Sequence, residues 1–365
     1  MEALVNSSKA SFASSFWHGR RVLVTGHTGF KGAWLAIWLN RLSAITCGYS
    51  LAPEQKPNLF EAAQVAGLCQ HNVGDITDPH HLSRVIEQFQ PEVVFHLAAQ
   101  ALVRKSYSEP IETFSANVMG TAYLLNELRS SKSVRAIVAI TTDKVYRNNE
   151  EGRAFAEQDP LGGHDPYSAS KAAAEFVIES YRRSFFSNLD IGLVSARAGN
   201  VIGGGDWSQD RLIPDAIRAW NAGQVLTLRN PTAVRPWQHV VEPLHAYMIA
   251  AQQIFQTPSL SDSFNFGPAA QSMISVGDVI RLAAQYMPAA RHQITASSEQ
   301  PHEAQLLHLD VSKASRILGI DPVWDVGVAV ERTMQWFASY ERAPNSARMS
   351  CLNDIDDFMQ ACESS

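Results

Sequence analysis

Short runs of apolar β-formers alternate with stretches of helical periodicity along the first part of the chain. The runs at 21–25, 45–50, 91–100, 134–140 and 191–195 are apolar almost throughout, the pattern of strands buried on both faces. A further strand is expected just before Gly74. Between them, apolar residues recur at helical spacing over 33–42, 113–129 and 169–184. Strand–helix alternation over about 195 residues predicts an α/β fold built on a doubly wound parallel sheet. Past the cluster Gly203-Gly204-Gly205 the order loosens. Helices at 212–222, 243–256 and 276–286 and a strand at 225–228 predict a smaller mixed α/β C-terminal lobe. The expected division is a loosely held arm at 1–16 and a first domain at 17–196, to which the chain returns near 237–257. A substrate lobe would then comprise 197–236 and 258–365.

The first strand runs into Gly26-His27-Thr28-Gly29-Phe30-Lys31-Gly32 and then into a helix. Strand, glycine-rich turn and helix make the first unit of a Rossmann-type dinucleotide fold, here spaced GxxGxxG rather than GxGxxG. Glycines let the backbone approach a diphosphate, and the helix N-terminus offers it unpaired N–H groups. The second strand ends in Tyr49-Ser50-Leu51, with neither the acid that grips ribose hydroxyls nor an arginine for a 2′-phosphate. The choice between NAD and NADP is open at this position. Asp75 either accepts from an adenine amine or is a plain turn aspartate. Small side chains at Ala98 and Ala99 leave room for a flat cofactor against the backbone.

Tyr167 and Lys171 stand four residues apart on one predicted helix face. Half-ionising a tyrosine near pH 7 takes a shift of about three units, roughly 4 kcal/mol. A neighbouring ammonium is one of the few ways to supply it. The strand at 134–140 ends in Thr141-Thr142-Asp143-Lys144, polar residues at a strand's carboxyl end, where open α/β sheets bind ligands.

Composition narrows the field. Of 365 residues, 45% are hydrophobic and 18% charged, the profile of an ordinary globular protein. A formal charge of −6 without a basic run argues against nucleic acid and anionic membranes as partners. Cys47, Cys69, Cys351 and Cys362 show no CxxC spacing, so reduced thiols in a cytoplasmic protein and no metal are expected. Neither a leader peptide nor a bilayer-spanning run is expected.

TGHTGFKG at 25–32, TTDKVY at 141–146 and YSASK at 167–171 together resemble the extended short-chain dehydrogenase/reductase superfamily. HLAAQALVRKSY at 96–107, NVMGT at 117–121, RAGNVIGGGDW at 197–207 and RPWQHV at 235–240 extend the likeness over most of the chain, within the sugar-nucleotide branch. Inside that branch the Asp143-Lys144 pair and the RAGNVIGGGDW block are similar to the CDP-glucose 4,6-dehydratases. Relatives acting on dTDP-glucose carry Asp-Glu at that pair.

The resemblance implies NAD as cofactor, a CDP-hexose as substrate and an internal redox dehydration toward deoxysugars of surface polysaccharide. Tyr167 takes the C4 hydroxyl proton, helped by Thr142 and held by Lys171, and Asp143 protonates the departing C6 hydroxyl. Lys144 either takes the C5 proton or only orients the sugar while water is the base. Cofactor contacts are expected from Gly26, Thr28, Gly29, Phe30, Lys31, Gly32, Asp75, Ile76, Leu97, Ala98, Ala99 and Asn117, with Tyr167 and Lys171. Substrate contacts are expected from Gln100, Asn200, Asp206, Arg211, Arg235, His239 and Glu303. Arg235 is alternatively a surface arginine, and His239 a satisfied core histidine. Relatives pair through helices near 112–130 and 168–184, which implies a homodimer or homotetramer. The competing readings are a nucleotide-sugar 4-epimerase or 4-reductase and, in another class, a non-catalytic dinucleotide-binding regulator.

Overall fold

Seven strands form one parallel sheet: β1 (Arg21–Thr25), β2 (Ile45–Ser50), β3 (Gln70–Val73), β4 (Val93–His96), β5 (Ala136–Ile140), β6 (Gly192–Ala198) and β7 (Ser263–Phe266). Their order is β7-β6-β5-β4-β1-β2-β3. The computed structural model describes residues 12–150, 152–228, 230–269, 272–294 and 307–364. In β4, β5 and β6 every residue is buried, which explains runs that are apolar on both faces. Order reverses between β1 and β4, and the crevice at that point is where such sheets take ligands.

Helices cover both faces. On one side, α1 (Phe30–Arg41) buries Trp34, Leu35, Ile37, Trp38 and Leu39. The same core holds α5 (Val241–Gln256), nearly all of it buried against β5 and β6, and the C-terminal helices α6 (Val326–Arg342) and α7 (Ala347–Ser364). On the other side lie α2 (Pro79–Phe89), α3 (Gly120–Leu128) and α4 (Pro166–Ser184), whose apolar residues form a second core with Leu23, Val94 and Leu193. The lobe is assembled from short pairings. Val234–Pro236 runs antiparallel to Met273–Ser275, and Leu226–Leu228 parallel to His292–Ile294.

Three features differ from the sequence expectation. From residue 12 the N-terminal stretch is docked rather than loose: Phe12 packs on Trp38 and His245, and Phe16 on Phe255. The edge strand β7 comes from the stretch assigned to the substrate lobe, because its backbone completes the ladder of β6. The single helix expected at 113–129 is broken by a π-turn, Ser115–Met119, ahead of α3.

Candidate active site

The carboxyl ends of the central strands open on one cavity of about 1470 Å³. A single small-molecule site is usually about 300–1,000 Å³, so this one has room for two ligands side by side. One end is the glycine-rich turn. Gly26 has φ +77°, and a Cβ there would stand 2.7 Å from the Ala98 nitrogen. A Cβ at Gly32 would meet the Gly26 carbonyl at 2.1 Å. Only glycine lets strand, turn and helix close this tightly, and Gly29 caps α1 with its N-terminus at the cavity. Thr28 ties the turn to β2, its hydroxyl donating to the Leu51 carbonyl at 2.9 Å.

Thr28, Phe30, Lys31, Asp75, Ile76, Leu97, Ala98 and Ala99 all line the cavity. One oxygen of Asp75 is occupied by the Thr77 backbone and hydroxyl at 2.8 and 2.7 Å, the turn role left open by the sequence. Asn117 is not on the wall. The π-turn aims its amide inward, where it accepts from Gln100 N at 2.9 Å and donates to Gln100 O at 3.0 Å and Ser170 Oγ at 2.8 Å. It pins the loop after β4 to α4 instead of touching a ligand in the cavity.

Thr142, Lys144, Tyr167 and Lys171 gather at the other end. Asp165 caps α4, accepting from Ser168 N at 3.0 Å and Ser168 Oγ at 2.6 Å. With Pro166 in the first turn, the helix starts ahead of the expected residue 169 and carries both Tyr167 and Lys171. Burial raises the Tyr167 phenol to about 12, against the pull of the Thr142 hydrogen bond and the Arg211 guanidinium. Lys171 is not what governs it. That ammonium donates to the Ile140 carbonyl at 3.0 Å, and burial lowers it to about 8.

Asp143 is 1% exposed. Its Oδ1 accepts from Thr142 Oγ1 at 2.9 Å and from Lys144 Nζ at 3.3 Å, so the pair is in contact. Its Oδ2 is buried with no hydrogen-bond partner among the described residues. Asp143 itself lies behind the cavity wall, between Thr142 and Lys144, which line it, and a Cβ on Gly199, also on the wall, would stand 3.0 Å from that oxygen. Leaving such an oxygen unpaired costs about 1–3 kcal/mol, a cost that a ligand hydroxyl would relieve.

Beneath these residues, Glu175 accepts from Thr141 Oγ1 at 2.5 Å, Ser195 Oγ at 2.8 Å and Arg197 Nη2 at 2.7 Å. Sequence reasoning missed this network. The spacing of Glu175 from Tyr167 and Lys171, one helical turn at a time, was the available signal.

The substrate residues divide. Asn200, Asp206, Arg211 and Arg235 line the cavity, with Arg211 Nε 4.0 Å from Asp206 Oδ2 and the side-chain Oδ1 of Asn200 buried without a hydrogen-bond partner among the described residues. Arg235 is buried in the wall, which excludes the surface-arginine alternative. Gln100 lines the cavity too, but its amide is engaged by Leu102 and Thr113. His239 is a correction: it lies in the core between Trp34 and Trp324, and its Nε2 faces Asp354 at 3.8 Å. Burial drops its pKa to about 3, so it stays neutral and touches no ligand in the cavity. Glu303 lies outside the described residues.

Comparison with known proteins agrees with this geometry. The chain is 43% identical over 353 residues to CDP-glucose 4,6-dehydratase of Salmonella typhimurium, covering 95% of this chain and 98% of that protein. A dTDP-glucose 4,6-dehydratase of Xanthomonas campestris is 26% identical, over 86% and 92% of the two chains. The crystal structure of Bacillus anthracis dTDP-glucose 4,6-dehydratase in complex with NAD superposes with a TM-score of 0.74 at 20% identity, over 88% of this chain and 98% of that one. The family model described as GDP-mannose 4,6 dehydratase matches residues 23–333, and the chain belongs to that family.

Proposed function

We propose that this chain is an NAD-dependent CDP-D-glucose 4,6-dehydratase, a hydro-lyase that converts CDP-D-glucose to CDP-4-dehydro-6-deoxy-D-glucose and water. The observation that carries the reading is the orphaned Oδ2 of Asp143, buried next to Thr142 in the corner that holds Tyr167. A 4-epimerase or 4-reductase has no departing hydroxyl to protonate and no use for an acid there. The likeness to the Salmonella relative supports cytidine as the base.

The glycine-rich turn fits a dinucleotide diphosphate: glycines at 26 and 32 let strand, turn and helix close so tightly that the N-terminus of α1 lies at the cavity. Gly26, Thr28, Gly29, Phe30 and Gly32 would hold that diphosphate, with Asp75 and Ile76 at the adenine end. Leu97, Ala98, Ala99, Tyr167 and Lys171 would hold the nicotinamide half. When bound, NAD supplies a hydride acceptor for C4, the return of that hydride to C6, and a positively charged ring.

Tyr167 takes the proton of the C4 hydroxyl, and Thr142 hydrogen-bonds the same oxygen. Since burial holds the phenol near 12 in the protein alone, ionisation at neutral pH depends on positive charge brought into the cavity. Asp143 gives its proton to the C6 hydroxyl, which leaves as water. Lys144, in contact with Asp143, takes the C5 proton; the competing role is to orient the sugar while water is the base. Asn200 and Arg235 hold the nucleotide diphosphate, the arginine by a bidentate fork, with Arg211 and Asp206 as further substrate contacts on the same wall.

Exposed apolar side chains at Ile111, Phe114, Met119 and Phe176 support pairing with a second copy through this face, as a homodimer or homotetramer. None of the described helices is long and apolar enough to cross a membrane. We place the enzyme in the cytoplasm, on a route to deoxysugars of surface polysaccharide.

The test is product identification with CDP-, dTDP-, GDP- and UDP-hexoses. CDP-glucose is expected to give a 4-keto-6-deoxy sugar, read by its absorbance in alkali. A 4-epimer, or no ketosugar from any donor, overturns the reading.

A further inference from the structure

Arg197, on β6, is the centre of a buried hydrogen-bond chain. Its Nη2 donates to Glu175 Oε2 on α4 at 2.7 Å. Its Nη1 donates to the Tyr146 hydroxyl at 2.9 Å and to the Glu157 carbonyl at 3.0 Å. Glu175 carries the first arm on to Thr141, accepting from its hydroxyl at 2.5 Å. The second arm continues from Tyr146, whose hydroxyl donates to Asn265 Oδ1 on β7 at 2.6 Å. Asn265 in turn donates to the Phe155 and Asp310 carbonyls at 2.8 and 3.1 Å. Arg197, Glu175, Tyr146 and Asn265 are all buried.

Thr141 and Tyr146 flank the short turn Asp143–Val145 and its cap, Thr142. One guanidinium thus reaches both ends of the segment that carries Thr142, Asp143 and Lys144. The hydrogen bonds to Asp143 come from Thr142 and Lys144, inside that segment, so they shape it without fixing where it stands. At its start the Thr141 backbone also donates to Ala196 of β6 at 2.9 Å, and Thr142 hydrogen-bonds Tyr167. At its far end the backbone of Val145 and Arg147 bonds to Gly162 and Pro160, at 2.8 and 2.9 Å, outside the sheet. The Tyr146 hydroxyl ties that end to β6 and β7.

We propose that Arg197 and Tyr146 are positioning residues for the elimination half of the reaction: they hold the Asp143–Lys144 turn in place relative to Tyr167, so that Asp143 meets C6 of the sugar while Tyr167 meets C4. This role rests on the dehydratase reading. Glu175 stands one turn beyond Lys171 on α4, so the same chain references the turn to the helix that bears Tyr167 and Lys171. A fully satisfied buried network is rigid, and a displacement of about 1 Å between reacting groups costs on the order of 10²-fold in rate. Oxidation at C4 uses Tyr167, Lys171 and Thr142, which are held by α4 and the start of the turn. Loss of water from C5 and C6 uses Asp143 and Lys144, toward its far end. Freeing the far end therefore slows the second step and spares the first.

The test is Tyr146→Phe in the full chain loaded with NAD. It removes one oxygen and keeps the ring that stacks on Phe155 at 5.0 Å, while Arg197 keeps Glu175 and the Glu157 carbonyl. Turnover of CDP-glucose is expected to fall about tenfold with KM changed by less than about twofold. In a single turnover, the absorbance of the reduced cofactor should rise at the parent's rate and then decay about tenfold more slowly. A general loosening of the fold would slow the rise as well. Arg197→Lys keeps a charge opposite Glu175 but cannot present two nitrogens to two partners, and it is expected to reproduce the slow decay. Unfolding midpoints check that the variants fold; whatever the stability of Arg197→Lys, Tyr146→Phe decides. Turnover at the parent's rate in Tyr146→Phe, or a rise slowed as much as the decay, overturns the positioning role alone. A parent that makes no ketosugar from CDP-glucose overturns the dehydratase reading with it.

Discussion

Glu175 and Asp143 are both buried carboxylates beside the end of β5, and the fold treats them in opposite ways. Glu175 has both oxygens engaged, by two hydroxyls and a guanidinium. Burial pushes it up, but Arg197, Thr141 and Ser195 together hold it below its ordinary value. Asp143 has one oxygen engaged and the other bare. A fully satisfied network rigidifies; a buried oxygen left open is a cost retained for a partner not in the chain. The difference assigns Glu175 to holding α4 against β5 and β6, and supports the chemical role proposed for Asp143. Asp354 supplies the control, since it too is buried with a bare Oδ2, yet it faces His239 and Arg332 in the core, whereas Thr142 and Lys144 on either side of Asp143 line the cavity. An orphaned oxygen marks a reactive group only where a ligand can reach it.

The largest effect expected is on Asp143→Asn, which removes the proton donor but keeps the shape. Turnover of CDP-glucose should fall by about 10²–10⁴ with little change in the unfolding midpoint. Turnover close to that of the parent would break the contrast at its functional end. Glu175→Gln should instead cost about 3–5 kcal/mol of stability, because it leaves Arg197 buried without its counter-charge. Denaturant unfolding reads this directly. A depressed carboxyl contributes stability above its unfolded value and loses it as pH falls through the folded one, so the gap between parent and variant should be full at pH 7 and narrow progressively as pH falls below the ordinary glutamate value of 4.5.

A third test sharpens the roles within the Asp143–Lys144 contact. Lys144→Met should abolish exchange of deuterium into C5 if the amine is the base, and exchange at the parent's rate would remove it from that role. The smallest effect belongs to the control. Burial above all raises Asp354 to about 7, although Arg332 pulls the other way. Its contribution is complete below pH 3.8 and is lost as pH rises through 7, whereas asparagine imitates the protonated form throughout. Asp354→Asn should therefore gain in unfolding midpoint relative to the parent between pH 4 and pH 7, with turnover unchanged. A loss of turnover would tie the core orphan to the site.

Much of this was legible before the structure. The glycine turn is marked by three glycines, two of which, Gly26 and Gly32, have Cβ positions filled by backbone, and Tyr167 and Lys171 by a four-residue spacing that needs only local helix geometry. Other positions were not. The π-turn shifts the register within an otherwise helical pattern, so periodicity alone could not show that Asn117 turns away from the cavity. The mixed pattern around His239 does not say which face is inward, and the answer came from Trp34 and Trp324, far away in the chain. The edge strand β7 was assigned to the lobe because four residues carry too little pattern to reveal their partner.

The chain by itself determined what is local: strands apolar on both faces, a turn that tolerates only glycine, a phenol and an ammonium on one helical face. It also carried the motifs that place it among the 4,6-dehydratases. The tertiary structure alone decided which buried carboxylate has both oxygens occupied and where the Lys171 ammonium points. Hydrogen bonds and charge–charge interactions between groups distant in sequence depend on positions in space, and no spacing along the chain records them.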